Sequence, residues 1–227
     1  MLIKFQIVLK NFMRLLLISN YNHKASKQLV KFLKEKKLDF HHIDSSKKKK
    51  IKISKKYDFL ISFLNPLYIG KSVRKKISIN SFNFHPGPPE YPGFGCYNFA
   101  LLDKINSYGS TVHVVNNNFD EGEIIDVKRF KISYKNCTLE KLIKMTHQNI
   151  LLQAKRFIIN IHKKQQQSNK NFKWKRKAYT KKEFEIARKI NLTDSKSTIL
   201  KKIKAFSYKD YESIYINFKG FKFDFKK

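Results

Sequence analysis

The first part of the chain alternates short apolar runs with amphipathic stretches. Four apolar runs have the length of a strand, and they occupy residues 15–19, 39–43, 57–64 and 77–84. Between the first two, SKQLVKFLKEKK places Leu29, Phe32 and Leu33 on one face at helical spacing, with Ser26 as a candidate N-cap. Strands that alternate with helices imply right-handed crossovers. The pattern therefore predicts an α/β fold with a doubly wound, mostly parallel twisted sheet.

The second part of the chain changes its pattern. YGSTVHVV and GEIIDVKRFKI predict two antiparallel strands, and the apolar stripe of TLEKLIKMTHQNILLQAKRFIINI predicts one long helix over 138–161. Alternating aromatic and polar residues around Lys219-Gly220 predict a β-hairpin near the carboxyl end of the sequence.

These changes divide the chain. We expect a main domain over 13–162, a polar linker over 163–178 and a small C-terminal extension over 179–227. Residues 1–12 are expected to be loosely attached, or to precede the true start if translation begins at Met13.

The formal charge of +32 invites a nucleic-acid interpretation. However, the lysines are spread along the whole chain, and the abundance of Lys, Asn and Ile is also typical of AT-rich coding sequences. We therefore favour a solvated lysine coat over a nucleic-acid groove.

Other compositional features exclude several classes of protein. No apolar run reaches the roughly 18 residues that a membrane helix needs. Cys96 and Cys137 have no CxxC spacing, and we expect reduced thiols, no metal site and a cytoplasmic protein.

The most informative stretch is SFNFHPGPPEYPGFGCYNF, residues 81–99. Its prolines and glycines cannot continue a strand, so they predict a stiff loop with Asn83 and His85 at its start. Ligands of such folds bind beyond the carboxyl ends of the strands. Asp120 follows in the turn NNNFDEGEII. Taken singly, each residue also fits a structural role in a loop or a turn.

Together these residues resemble the folate-dependent formyltransferases. That family includes glycinamide ribonucleotide, methionyl-tRNA and sugar-nucleotide N-formyltransferases. The shared pattern is Asn83-x-His85-Pro, a Pro/Gly loop, a helix, Gly-x-Thr111 and Asp120-x-Gly-x-Ile. Gly87 departs from the serine of many members, and Glu121 from the usual threonine.

The resemblance implies a Rossmann-like fold and catalytic roles for Asn83, His85 and Asp120. Asn83 and His85 would stabilise the oxyanion that forms when an amine attacks the formyl carbon of 10-formyltetrahydrofolate. Asp120 would relay protons and hold His85 charged, so the pKa of His85 should be raised. His113 is expected to support the site or to pack in the core.

The resemblance also implies where the folate lies. In the family, the pterin contacts the backbone of two loops, one after the third strand and one around the aspartate. The matching candidates are Phe63, Leu64, Asn65, Asn118, Phe119 and Gly122.

The acceptor amine remains open between several classes. We favour an amino sugar on a nucleotide carrier. The amino-acid sequence of the loop and the C-terminal Lys204-Ala205-Phe206 resemble those of the sugar-nucleotide N-formyltransferases. Methionyl-tRNA formylation, glycinamide ribonucleotide formylation and a non-catalytic nucleic-acid-binding protein are the alternatives. Family members often dimerise through the C-terminal region, so a homodimer is a further expectation.

The C-terminal aromatics are too dense to stay in water, so we expect them to cover the main domain, a second subunit or a bound base. They are Tyr208, Tyr211, Tyr215, Phe218, Phe221, Phe223 and Phe225.

Overall fold

The computed structural model describes residues 13–163, 171–208 and 213–225. The expectations for 1–12, for 164–170 and for Tyr211 therefore concern residues outside those described. All the strands predicted in the main domain are present. They are β1 (Leu15–Ser19), β2 (Phe40–Asp44), β3 (Tyr57–Phe63), β4 (Ile77–His85), β5 (Ser107–Val114) and β6 (Ile124–Lys131).

The six strands form one sheet in the order β2-β1-β3-β4-β5-β6. The pairs from β2 to β4 are parallel, whereas β4–β5 and β5–β6 are antiparallel. The prediction of a mostly parallel α/β sheet is therefore confirmed.

Helices cover this sheet, and two further helices belong to the C-terminal extension. They are α1 (Lys24–Glu35), α2 (Lys71–Arg74), α3 (Cys96–Leu102), α4 (Leu139–His162), α5 (Lys181–Arg188) and α6 (Lys196–Phe206). Among the described residues, no helix combines the length and the apolarity that crossing a membrane requires.

β1 shows why the apolar runs form central strands. Leu15 and Leu17 point to the face that α1 and α4 cover, whereas Leu16 and Ile18 point to the opposite face, where Val73 of α2 lies. All four side chains are fully buried. A strand covered on both faces reads as a continuous apolar run rather than an alternating one.

The start of α1 differs from the prediction. The helix begins at Lys24 with His23 in the N-cap position, and no side chain caps it. Ser26 lies inside the first turn, and its buried hydroxyl has no hydrogen-bond partner. The buried face of the helix extends towards the N-terminus as far as Ala25. Burial of Ala25 therefore favours a helix that starts before Ser26.

A buried polar network ties α4 to the two antiparallel strands. Ser110 donates to Gln153 Oε1 at 2.6 Å, and Asn149 donates to Ser110 Oγ at 2.9 Å. Gln153 Nε2 in turn donates to Asp126, which also pairs with Arg156. The network fixes the sheet edge that carries the turn before β6.

The C-terminal extension shares a hydrophobic core with the main domain. Phe184 of α5 and Phe206 of α6 are buried in one cluster with Tyr108 of β5. Asn98 of α3 donates to the carbonyl of Ala205 at 2.8 Å. The two parts of the chain thus pack as one body over these elements.

The predicted hairpin is present as β8 (Tyr215–Phe218) and β9 (Phe221–Asp224). The short strand β7 (Lys189–Ile190) pairs with β8 and completes a three-stranded sheet. Its aromatics divide into two groups. Tyr208 packs against the shared core and Tyr215 lies half-buried beside Arg188. The remaining four are exposed by 41 to 70%, and they are Phe218, Phe221, Phe223 and Phe225. The main domain therefore does not cover these four rings, and cover by a second subunit or by a bound base stays a prediction for them.

Candidate active site

The alternation of β4 places two candidate residues on one side of the sheet. Phe82 and Phe84 point into the core beneath α4, so Asn83 and His85 point to the opposite face. Both stand at the carboxyl end of the strand. In β5, His113 lies directly opposite Asn83 and therefore shares its face. The sheet thus gathers an amide and two imidazoles at one edge.

Asp120 is the centre of this group. Its carboxylate is buried and accepts from four donors. Oδ2 lies 3.0 Å from His85 Nδ1 and accepts from the Gly93 N–H at 2.8 Å. Oδ1 lies 3.1 Å from His113 Nε2 and accepts from Asn83 Nδ2 at 3.2 Å. We call Asn83, His85, His113 and Asp120 the imidazole cluster.

The backbone of Asp120 explains how a turn residue reaches so far inward. Its φ is 48°, in the left-handed region that Asp adopts more readily than most residues. Next to it, a Cβ on Gly122 would lie only 1.7 Å from the Val114 carbonyl oxygen. The turn therefore approaches β5 closely enough for the carboxylate to meet both imidazoles.

His85 has an acceptor at each ring nitrogen. Nδ1 faces Asp120 and Nε2 lies 2.8 Å from the carbonyl oxygen of Tyr91. Burial lowers the pKa of His85, but the charge and hydrogen bond of Asp120 outweigh it, so this pKa is raised. The prediction of a raised pKa is confirmed. For Asp120, burial raises the pKa, but the two imidazoles hold it well below its ordinary value.

The Pro/Gly loop is fixed from below by β5. Thr111 donates to the Gly87 carbonyl at 2.8 Å, and Tyr108 donates to that of Pro86 at 3.2 Å. A Cβ on Gly87 would lie 2.6 Å from His85 Nε2. The glycine at this position, where many family members have serine, thus leaves room for the ring to lie against the loop.

Asn83 differs from the rest of the imidazole cluster in its exposure. His85, His113 and Asp120 are buried, whereas Asn83 is half-buried. Its amide nitrogen lies 3.1 Å from His113 Nε2 as well as 3.2 Å from Asp120. Its hydrogen bond to Asp120 is the longest of the four that this carboxylate accepts, so the Asn83 amide is the most accessible and least tightly held donor of the cluster.

The loop after β3 places its candidates in structural positions. Phe63 is fully buried, and Leu64 turns the chain with a φ of 46°. Asn65 donates to Ser62 Oγ and accepts from the N–H of Leu67 within the turn. The side chains of these three candidates are therefore occupied, and their contacts to a ligand would come from the backbone.

The loop before Asp120 presents one exposed ring. Asn118 donates to Glu121 at 2.7 Å, within the loop. Phe119 is 56% exposed and contacts Tyr68, which is also exposed, at 5.4 Å between ring centroids. Tyr68 donates to the carbonyl of Asn117. This aromatic pair joins the two loops beside the imidazole cluster.

Trp174 is a residue of the site that sequence reasoning missed. It lies in the predicted linker, and its Nε1 donates to the Gly122 carbonyl at 2.8 Å. Its ring stands edge to face with His85 at 5.8 Å and with His113 at 5.2 Å between centroids. An isolated tryptophan in a lysine-rich stretch was the only available signal.

The described part of the predicted linker runs along the Pro/Gly loop. Lys175 donates from its N–H to the carbonyl of Pro89, and Tyr179 donates to that of Pro92. Tyr179 stacks on Phe99 of α3 at 3.6 Å. We call residues 171–180 the strap.

The site can be described without a metal centre. Within residues 13–163, 171–208 and 213–225, no group of three or more His, Cys, Asp or Glu side chains is placed to hold a metal ion.

Comparisons with known proteins identify the family of this chain. The formyl transferase family model matches residues 18–154, more than half of the chain. No curated protein matched the sequence.

Several solved structures share the fold. A sugar N-formyltransferase from a Shewanella species superposes with a TM-score of 0.77 and 17% identity, over 95% of this chain and 97% of that one. A 4-N formyltransferase from Francisella tularensis has a TM-score of 0.69 and 16% identity, over 95% and 99%. An N-formyltransferase from Helicobacter canadensis, solved with folinic acid and dTDP-3-aminofucose, has a TM-score of 0.67 and 17% identity, over 92% and 85%.

At such identities these likenesses establish the fold, and the family match establishes the family. The prediction from the loop motif is confirmed. The chain belongs to the formyl transferase family.

Proposed function

We propose that the protein transfers the formyl group of 10-formyltetrahydrofolate to the primary amine of an amino sugar carried by a nucleotide. The observation that carries this proposal is the buried carboxylate of Asp120, which gathers Asn83, His85 and His113 at the carboxyl edge of the sheet. That edge is where ligands bind in open α/β sheets.

The loops around the imidazole cluster fit a folate. At Phe63, Leu64 and Asn65 the backbone would make the contacts, because the two apolar side chains are buried and the Asn65 side chain is used within the turn. Backbone N–H and C=O groups suit the pterin, whose edge carries both donors and acceptors. The exposed pair Tyr68 and Phe119 offers flat apolar surface next to these loops. We therefore assign the donor to the loops at 64–68 and 116–119.

The reaction determines which protein groups are needed. The donor supplies an electrophilic formyl carbon. The amine nitrogen bonds to that carbon and loses a proton, while the bond to N10 of the folate breaks and N10 gains one. Negative charge develops on the formyl oxygen during this exchange, and a hydrogen-bond donor aimed at that oxygen accelerates the reaction.

Asn83 is the best candidate for this donor. It is the accessible member of the imidazole cluster, and its 3.2 Å hydrogen bond to Asp120 is the longest that this carboxylate accepts. Long hydrogen bonds in a site without substrate are typical of catalytic groups that tighten on the reacting atoms. Turning the amide towards the formyl oxygen therefore gives up little.

His85 supplies positive charge rather than a free N–H. Both ring nitrogens face acceptors, so the imidazolium is the favoured form next to Asp120. Its charge lies beside Asn83 and stabilises a nearby oxyanion electrostatically. Asp120 accepts from four donors and its pKa is held well below the ordinary value. We therefore assign Asp120 to holding His85 charged, and not to accepting the proton of the amine.

The acceptor assignment rests on the C-terminal extension. Phe94 of the Pro/Gly loop is exposed and packs edge-on against Phe184 of α5 at 4.9 Å. The extension thus packs beside the Pro/Gly loop, which follows the strand that carries Asn83. Two of the similar structures are named for sugar N-formylation or contain a nucleotide-linked amino sugar. Both observations support a nucleotide-linked amino sugar as the acceptor.

The test is a product analysis. The protein is incubated with 10-formyltetrahydrofolate and, separately, with nucleotide-linked amino sugars, glycinamide ribonucleotide and methionyl-tRNA, and products are identified by mass. We expect formylation of an amino sugar. Product with only one of the other two acceptors would reassign the acceptor. No product with any of them, together with nucleic-acid binding that falls steeply with salt, would contradict the proposal.

A matched pair of variants connects the activity to the site. Asn83→Ala should lower turnover by about a hundredfold, the usual effect of removing one oxyanion donor. Asn136→Ala removes the same side chain from the exposed turn before α4 and should leave turnover unchanged. Equal rates in the two variants would exclude Asn83 from the role assigned to it.

A further inference from the structure

Trp174 contacts the imidazole cluster rather than the hydrophobic core. It belongs to none of the three buried apolar clusters found among the described residues. Its ring instead meets the rings of His85 and His113, and its N–H is fixed to the carbonyl of Gly122. A large aromatic side chain that is half-buried against two imidazoles does little for core packing.

Backbone hydrogen bonds between the strap and the Pro/Gly loop hold Trp174 at this position. The N–H of Lys175 donates to Pro89 at 3.0 Å, immediately after the tryptophan. Further along, Tyr179 donates to Pro92, and Phe94 donates back to Tyr179, each at 2.9 Å. These backbone bonds form a short ladder with the Pro/Gly loop, so the ring keeps a fixed place over the histidines.

An indole in this place changes the electrostatics of the imidazole cluster. The attraction between His85 and Asp120 strengthens as water is excluded, because it varies inversely with the local dielectric constant. Burial alone would discharge the imidazole, so the charged form of His85 depends on a strong interaction with Asp120. Water in the place of the ring would weaken this interaction.

We infer that Trp174 is a positioning residue of the formyl-transfer site, which excludes water from the His85–Asp120 pair and keeps His85 in its charged form. This inference rests on the proposed function only for its effect on turnover. Its effect on the protonation of His85 can be measured without substrate.

The first measurement is the pH dependence of kcat/KM. Turnover that needs charged His85 falls as pH rises through the pKa of that residue. Trp174→Ala should move this fall to lower pH by about one unit, which is roughly a tenfold loss on the alkaline side. Trp174→Phe keeps a ring over the imidazoles and should recover most of the shift. Lys173→Ala, at the exposed neighbouring position, is the matched control and should follow the native profile.

The second measurement is the NMR titration of the histidine ring nitrogens in protein labelled with nitrogen-15, with His85→Gln used for assignment. We expect the midpoint of His85 to be lower in Trp174→Ala than in the native chain and in Lys173→Ala. An unchanged midpoint, or a uniform loss of activity at every pH, would overturn the inference. A shifted midpoint in a protein that formylates no acceptor would support the role of Trp174 and contradict the proposed function.

Discussion

Two pairs of histidines in this molecule differ in their surroundings: His85 and His113 are buried, whereas His23 and His147 are half-buried. His85 and His113 lie on either side of the Asp120 carboxylate. His23 and His147 lie edge to face at 5.1 Å between ring centroids, and among the described residues neither ring has a carboxylate partner. Burial lowers the pKa in both places, yet the pKa of His85 is raised and that of His147 is lowered to about 4. The partner therefore decides the direction, and burial sets how much the partner matters.

The two pairs also affect stability in opposite pH ranges. The pKa of His85 is higher in the folded chain, so its contribution is complete below the unfolded value and is lost as pH rises through the folded value. The pKa of His147 is lower in the folded chain. Its contribution is present above the unfolded value and is lost as pH falls. The proposed function uses the first pair, whereas the second pair lies where α1 meets α4.

The largest expected effect comes from removing the charged imidazole. His85→Ala should lower turnover by about a hundredfold or more, because the charge acts on the oxyanion in the transition state. The measurement is kcat with the acceptor that the product analysis identifies. His162→Ala, at the exposed end of α4, is the matched control and should retain native turnover. A native rate in His85→Ala would contradict the mechanism.

The sequence predicted the parts of this site that depend on order along the chain. Asn83, His85 and Asp120 were found because the loop motif and the aspartate turn follow each other in a specific pattern. The apolar runs likewise predicted the central strands, since β1 and β3 are buried on both faces. These features depend on residues that are close in the sequence, so they can be recognised from the sequence alone.

The parts that the sequence left open, as for His113, or missed, as for Trp174, depend on how distant segments meet. His113 joins the site because β5 pairs with β4 in a register that places it opposite Asn83, and a shift of one residue would point it away. Trp174 joins it because the strap returns across the Pro/Gly loop, although its composition indicated a linker. Asn65 is predicted to contact the folate through its backbone, and its side chain is held within the turn after β3.

The second prediction converts one histidine environment into the other. Asp120→Asn keeps the shape of the side chain and removes its charge, so burial is opposed only by the hydrogen bond of His85 to the Tyr91 carbonyl. The pKa of His85 should then fall below its ordinary value, as that of His147 does. The ring nitrogens are followed by NMR against pH in the native chain and in the variant. A pKa that stays raised without the carboxylate would show that another group charges His85.

The third prediction concerns acid stability. The unfolded chain protonates His147 at about pH 6.5, whereas the folded chain resists protonation until about pH 4. Lowering the pH from about 7.5 to about 5.5 should therefore cost the native chain about 1.4 kcal/mol through this residue. His147→Gln cannot be protonated, so its free energy of unfolding should fall less over the same interval. Urea unfolding of both chains at the two pH values gives the difference, and equal losses would contradict the lowered pKa.

The smallest expected effect separates the two causes that act on His147. Burial is the larger cause of its lowered pKa, and the like charge of His23 is the smaller one. His23→Gln removes only the second cause, and it removes no capping bond because the side chain at this N-cap position makes none. The pKa of His147 should rise slightly and remain below its ordinary value, since the ring stays buried between α1 and α4. An NMR titration of the variant measures this, and a return to the ordinary value would show that repulsion between the two rings, and not burial, distinguishes this pair from the imidazole cluster.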